Sequence, residues 1–127
     1  MLNIDVRSSQ PIYDQIIEQV KENIVKGIFQ PGDKLPSVQE MSSLLTINPN
    51  TVSKAYQELE RSKVIEIQRG RGTFIAKDYR PEMDEERLKL VKDLLKKAIL
   101  ESHYMGLKKR EVIGLIDETY KELGVEE

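Results

Sequence analysis

The sequence contains no cysteine and only one histidine among its 127 residues. Without cysteine, the chain has neither disulfides nor thiolate ligands for a metal ion. His103 has no cysteine or second histidine to join it, so we expect an ordinary surface or interface side chain. No apolar run approaches the roughly 20 residues that a membrane-spanning helix needs. We therefore expect no metal, no cofactor and no membrane partner.

Sequence motifs of enzymes are also missing. We find no phosphate loop of the Walker type, no Ser–His–Asp arrangement and no paired carboxylate motif. Three consecutive acids at residues 84–86 have a structural explanation, because the dipole at the start of a helix favours negative charge. The first ten residues lack the basic and apolar regions of a signal peptide. We expect a cytoplasmic protein that is not an enzyme.

The positive charge is concentrated in one part of the chain, although the whole sequence has a net charge of −2. Residues 48–80 contain seven basic and four acidic side chains, a net charge of +3. Residues 81–127 contain nine basic and twelve acidic side chains, a net charge of −3. Nucleic-acid binding depends on where the charge lies, so the overall negative charge does not exclude it.

Two helices are predicted in the first third of the sequence. Pro11 suits the first position of a helix, apolar residues follow at helical spacing, and Gly27 can end it. A shorter helix follows Pro36, with Ser37 as its N-cap and Glu40 completing a capping box. The predicted inner face of this second helix consists of Met41, Leu44 and Leu45.

A third helix and a hairpin complete the order of elements. Asn48 can cap a helix that runs to about Ser62. Residues 64–68 and 73–76 are rich in β-forming side chains, and the glycines and arginines of residues 69–72 suit the turn between them. The order helix, helix, tight turn, helix, hairpin predicts a mainly α fold with a small β-hairpin wing, the winged helix-turn-helix.

The third helix has one apolar face and one polar face. Helical spacing places toward the core Val52, Ala55, Tyr56 and Leu59. The opposite face presents amides, a hydroxyl and cations, from Asn50, Ser53, Lys54, Gln57 and Arg61. Asn and Gln can pair with adenine, and Lys can reach guanine or phosphate, so this face suits a major groove of DNA. Such a face also fits an ordinary solvated helix, but the tight turn before it and the wing after it favour DNA.

Two further features can meet phosphates. In the wing tip, Gly70 and Gly72 let the backbone come close to a phosphate or a groove wall, while Arg69 and Arg71 supply charge. Ser37 is expected to cap its helix, and the same helix N-terminus can also receive a phosphate. Both features also fit purely structural roles, as a solubilising hairpin and a helix cap.

The last third of the sequence predicts two more helices, over residues 84–104 and 108–123. We therefore expect two domains, a winged helix-turn-helix at residues 1–78 and a helical dimerisation domain at residues 79–127. The first tail helix is apolar over a wide arc, and about 40 residues cannot enclose that surface by themselves. A second copy of the chain is the expected cover; the alternative is that both helices fold back on their own winged domain. The predicted dimer interface consists of Leu88, Val91, Leu94, Leu95, Ala98, Val112, Leu115 and Ile116.

Several short motifs occur in an order that resembles one family of regulators. They are Pro11-Ile12-Tyr13 with Gln15-Ile16, then Pro31-Gly32 with Leu35-Pro36-Ser37, then Asn48 to Val52 with Lys54-Ala55-Tyr56 and Leu59-Glu60, and finally Arg69 to Phe74. Together they span roughly residues 10–76 and resemble the GntR family of bacterial regulators. The short two-helix tail is similar to that of the YtrA-type subfamily, which implies a dimerisation module instead of a full effector-binding domain.

The resemblance also implies which residues contact DNA. They lie at the start of the second helix, on the third helix and at the wing tip: Ser37, Gln39, Asn48, Asn50, Thr51, Ser53, Lys54, Arg69, Gly70, Arg71 and Gly72. Two positions depart from the family pattern. Gln39 stands where the family usually has arginine, so an altered base preference or weaker binding is expected. Lys63 stands where a glycine usually precedes the first wing strand.

The expected function is that of a homodimeric transcriptional repressor on a two-fold symmetric operator of double-stranded DNA. The third helices, at about residues 49–62, would lie in successive major grooves, and the wing tips, at residues 69–72, on the flanking DNA. Two alternatives stay open. One is a winged-helix module that binds protein, and the other is a small-molecule effector that binds among the tail helices.

Overall fold

The computed structural model describes residues 1–125. Within these residues the chain forms α-helices and one small antiparallel sheet. The elements in order are α1 (Ile12–Val25), β1 (Lys34–Leu35), α2 (Val38–Leu45), α3 (Pro49–Arg61), β2 (Ile65–Gln68), β3 (Gly72–Ile75), α4 (Glu85–Tyr104) and α5 (Lys109–Leu123). The chain divides into two compact units, one from Met1 to Tyr79 and one that begins at Arg80. The predicted mainly α fold with a small hairpin wing is confirmed.

The core of the first unit is built around α3, which packs against α1 and α2. The four residues predicted to face inward from α3 are all at most 1% exposed. From the other elements, the core receives Ile16, Val20, Leu35, Met41, Ile65 and Ile75. Since one face of α3 is buried along its whole length, the opposite face is left to solvent.

The predicted inner face of α2 is wrong at one position. Met41 is fully buried, but Leu44 is 64% exposed. The buried positions of α2 are Met41 and Ser42, and Leu45 is half-buried. Ser42 is small and its hydroxyl donates to the carbonyl of Gln39, so it can occupy the inward position without an unsatisfied polar group. The helix is therefore rotated so that Leu44 points outward.

A third strand, β1, was not predicted, because its two residues are too few to form an alternating pattern. The sheet order is β1-β3-β2, and both pairs are antiparallel. In the β1–β3 pair, Lys34 lies opposite Phe74 and Leu35 opposite Thr73. This pairing attaches the segment that leads into α2 directly to the wing.

The N-terminal segment, residues 1–5, is hydrogen-bonded to glutamine side chains of α1. The Gln15 amide accepts from the Asp5 N–H at 2.8 Å and donates to the Asp5 carbonyl at 2.9 Å. Gln19 binds the N–H and carbonyl of Asn3 in the same way, at 2.7 and 2.8 Å. Gln15 and Gln19 are four residues apart, which is a rise of about 6.0 Å along a helix. Asn3 and Asp5 are two residues apart, which is about 6.6 Å in an extended chain, so the two distances match. The N-terminal segment therefore stabilises α1, on which α3 packs.

Two residues other than glycine adopt the left-handed backbone conformation. Thr46, at the end of α2, has φ 55°, and Lys63, before β2, has φ 63°. The conformation at Lys63 explains why a glycine suits that position. Thr46 is the more strained of the two, because a β-branched side chain rarely tolerates positive φ.

Replacing Thr46 with glycine is therefore expected to raise the free energy of unfolding by about 1 kcal/mol. Thr51→Gly is the matched control: Thr51 lies inside α3 with helical geometry, so glycine there is expected to destabilise the protein by roughly 0.3–0.5 kcal/mol. Urea denaturation followed by circular dichroism measures both variants. A loss of stability in Thr46→Gly would contradict the prediction.

The second unit consists of α4 and α5, which leave most of their apolar side chains exposed. Asp84 caps α4 by accepting from the Glu86 N–H at 2.9 Å, and Gly106 has φ 84° between the helices. Of the residues predicted to form a dimer interface, only Val112 is half-buried in the single chain. The exposed ones are Leu88, Val91, Leu94, Leu95, Ala98, Leu115 and Ile116. None of the helices within residues 1–125 is long and apolar enough to cross a membrane.

Candidate nucleic-acid interface

The start of α2 is closed by the predicted capping box. The Ser37 hydroxyl accepts from the Glu40 N–H at 3.1 Å, and the Glu40 carboxylate accepts from the Ser37 N–H at 3.0 Å. The pKa of the Glu40 carboxyl lies below its usual range, mainly because the Ser37 backbone N–H donates to it. Gln39, the next predicted contact, is exposed in this first turn. The cap and an exposed, uncharged side chain are thus both present at the helix start.

The start of α3 is closed by Asn48, whose side-chain oxygen accepts from the Asn50 N–H at 2.8 Å. Pro49 occupies the first turn, where its missing N–H needs no partner. Further along α3, the buried Tyr56 hydroxyl donates to the carbonyl of Pro36 at 2.7 Å. Burial raises the pKa of Tyr56, which keeps the hydroxyl protonated as a donor. This hydrogen bond ties α3 to the start of α2.

The outward face of α3 carries the predicted contact residues. Asn50, Lys54 and Gln57 are exposed, while Thr51 and Ser53 are half-buried at the edges of that face. Arg61, which the sequence placed on the same face, forms a bidentate ion pair with Glu58 at 2.6 and 2.7 Å. The last cation of this face is thus paired within its own helix.

The wing tip is a three-residue connection between β2 and β3. Gln68 and Gly72 are the last paired residues, and the Arg71 N–H donates to the Gln68 carbonyl at 3.0 Å. Gly70 has φ 74°, which reverses the chain without the strain that a side chain would cause. Arg69 and Arg71 are both exposed. The tip thus presents two cations on a tight turn.

The fold brings all three predicted segments into one unit through contacts that sequence patterns do not reveal. The Tyr56–Pro36 hydrogen bond joins α3 to the start of α2, and β1 joins that start to the wing strand β3. None of the twelve residues predicted to contact DNA is buried. Lys34, exposed on β1, belongs to the same region and was missed because no sequence pattern singled it out. Exposed amides, cations and two capped helix starts together form a surface suited to DNA.

Comparison with known proteins agrees with this geometry. The family described as bacterial regulatory proteins, gntR family, matches residues 12–75. The transcriptional repressor YtrA of Bacillus subtilis is 52% identical over 107 residues, which are 84% of this chain and 82% of the relative. The similarity therefore extends beyond the winged unit into the tail.

Solved structures show the same fold. A protein from Listeria monocytogenes described as a transcriptional antiterminator has a TM-score of 0.86 and 41% identity, with 100% of this chain and 95% of that chain covered. The DNA-binding domain of AraR, solved in complex with its operator ORX1, has a TM-score of 0.53 and 25% identity, with 60% of this chain and 95% of that chain covered. This chain belongs to the GntR family and is a helix-turn-helix, DNA-binding transcriptional regulator that resembles YtrA.

Proposed function

We propose that this chain is a homodimeric repressor that binds a two-fold symmetric operator in double-stranded DNA. In each copy, α3 enters a major groove and the wing tip contacts the flanking DNA. The observation that carries the proposal is the exposed polar face of α3, where Asn50, Lys54 and Gln57 lie opposite a fully buried face. A winged-helix module that binds protein would not need amides and a cation at these positions.

The proposed second copy is supported by the apolar surface of α4 and α5. Between 37% and 57% of each side chain is exposed at Leu88, Val91, Leu94, Leu95, Leu115 and Ile116. Contiguous apolar surface of this kind marks an interaction site in a water-soluble protein. A second copy offers the same surface, which makes a two-fold arrangement self-complementary. The tail therefore serves as the dimerisation element of the proposed repressor.

Two relatives support the finer parts of the proposal. YtrA is described as a repressor, and the AraR domain was solved on an operator. The residues proposed to touch DNA here are Ser37, Gln39, Asn48, Asn50, Thr51, Ser53, Lys54, Gln57, Arg69, Gly70, Arg71 and Gly72. Such a role requires no catalytic step and is carried out where the chromosome lies, in the bacterial cytoplasm.

Selection of bound sequences from a random DNA pool tests the proposal. The purified full chain is expected to recover a site with two inverted halves whose centres lie about 10 base pairs, one helical turn, apart. Recovery of no sequence, or of a site without two-fold symmetry, would contradict the proposal. A symmetric site would also provide the operator for every binding measurement below.

Two cations on the proposed contact surface provide the matched test. Lys54→Ala and Arg71→Ala are each expected to weaken operator binding at fixed salt, by about 1–3 kcal/mol where the side chain reaches a base. Lys26→Ala is the control, because Lys26 directly follows α1, lies outside the set of proposed contacts and pairs with Glu22 at 3.4 Å. Fluorescence anisotropy with labelled operator measures all three. Equal operator affinities of Lys54→Ala and wild type would contradict the proposed contact between α3 and DNA.

Two parts of the sequence interpretation stay predictions. The effect of glutamine at position 39 on base preference is one, and selection with Gln39→Arg compares the two side chains directly. A small-molecule effector bound by the tail is the other. Thermal shift measurements with candidate ligands address it.

A further inference from the structure

Lys34 stands at the junction between the wing and the start of α2. The two residues of β1 point to opposite sides: Leu35 is 2% exposed in the core, and Lys34 is exposed. Because β1 pairs with β3, Lys34 lies beside the wing strand. Because β1 also precedes Pro36 and Ser37, Lys34 lies just before α2. It thus adjoins two of the three segments proposed to contact DNA.

The Lys34 side chain extends across Gly72, a proposed wing contact. A Cβ atom at Gly72 would lie 2.8 Å from the Lys34 Cε and 3.5 Å from its Nζ. The lysine chain therefore uses the space that the missing side chain of Gly72 leaves. Gly72 has φ 127°, a second reason for glycine at this position. The ammonium is consequently close to the backbone of the wing and not extended away from it.

Lys34 also acts electrostatically on the first turn of α2. Its charge contributes to the lowered pKa of Glu40, after the larger effect of the Ser37 hydrogen bonds. The side chains of that turn are Val38, Gln39 and Glu40, so the turn itself contains no cation. Within residues 1–125, Lys34 forms no ion pair within 4.0 Å. Its positive charge is thus left available between the wing and the helix start.

We propose that Lys34 is a DNA-phosphate contact that links the wing to the start of α2. The proposal rests on the proposed DNA-binding function and adds a residue that neither the motifs nor the third helix indicated. An ammonium on a flexible stem binds phosphate as a point charge and carries no sequence information. Lys34 therefore contributes affinity and register but not base preference.

The test compares variants of the full chain on the selected operator over about 50–200 mM salt. Lys34→Gln keeps most of the side-chain length and removes the charge, and Lys34→Arg keeps the charge. The salt slope is the slope of log affinity against log salt concentration, and each lost phosphate contact reduces its magnitude by about 0.9. A dimer loses two contacts, so Lys34→Gln is expected to reduce the magnitude by about 1.8 and to weaken binding by about tenfold or more. Lys34→Arg is expected to keep the wild-type slope. The sequence selected from a random pool is expected to be the same for all three proteins.

Two controls separate the outcomes. Lys26→Gln removes an exposed lysine outside the proposed interface, and Lys54→Ala removes one inside it. If Lys34→Gln binds like Lys26→Gln while Lys54→Ala is weakened, the Lys34 proposal is wrong and the proposed function stands. If the salt slope of Lys34→Arg is reduced as much as that of Lys34→Gln, the positive charge does not explain the effect, and the proposal is again wrong. If wild type itself selects no operator, both proposals fail together.

Discussion

Replacing Leu95 with glutamate is expected to leave the chain folded but to prevent its self-association. Leu95 is 46% exposed on α4 in the single chain, so a carboxylate there remains in water. In the proposed dimer the same carboxylate would be buried against apolar side chains without a partner, which costs several kcal/mol. Sedimentation at micromolar concentration is expected to give a dimer for wild type and a monomer for Leu95→Glu.

The loss of the dimer is also expected to weaken operator binding by about 100-fold or more. Two linked winged units bind two half-sites with a high effective concentration, and a monomer loses that advantage. Lys96→Glu provides the control, because it also adds negative charge to α4 but lies on its polar side. That variant is expected to remain a dimer. A wild-type chain that sediments as a monomer would refute the proposed interface, and so would a dimeric Leu95→Glu.

Replacing Tyr56 with alanine is expected to lower the free energy of unfolding by about 3–5 kcal/mol. Tyr56 is the largest fully buried side chain of the core, and its hydroxyl also satisfies the Pro36 carbonyl. This loss is a large share of the roughly 5–15 kcal/mol that stabilises a typical domain. Because Tyr56 holds α3 against the start of α2, operator affinity is expected to fall with it. Urea denaturation at fixed protein concentration measures the change.

Tyr56→Phe separates the hydrogen bond from the ring. It keeps the packing but leaves the Pro36 carbonyl without its donor, so a smaller loss of about 1–3 kcal/mol is expected. Tyr79→Ala is the control, because Tyr79 is 53% exposed and its loss is expected to change stability by less than about 0.5 kcal/mol. A loss in Tyr56→Ala no greater than in Tyr79→Ala would contradict the role of Tyr56 in the core.

Helix boundaries were predictable because their signals are local. Ser37 with Glu40 and Asn48 with Pro49 are capping patterns that act within four residues, and both are present in the structure. The buried face of α3 was predictable for the same kind of reason, since thirteen residues repeat the helical period several times. Leu44 shows the limit of this approach. In a helix of eight residues, the apolar pattern does not distinguish which of two adjacent leucines faces the core.

The sequence by itself determined the order of the helices and the wing hairpin, the caps of α2 and α3, the polar face of α3 and the apolar excess of the tail. Each of these depends on residues close together in the chain. The tertiary structure decided the rest. The β1–β3 pairing, the Tyr56–Pro36 hydrogen bond and the position of Lys34 across Gly72 join residues 20 to 40 positions apart. Such contacts depend on how the elements pack, which no local pattern encodes. These contacts also bring the two helix starts and the wing together into the surface that we propose contacts DNA.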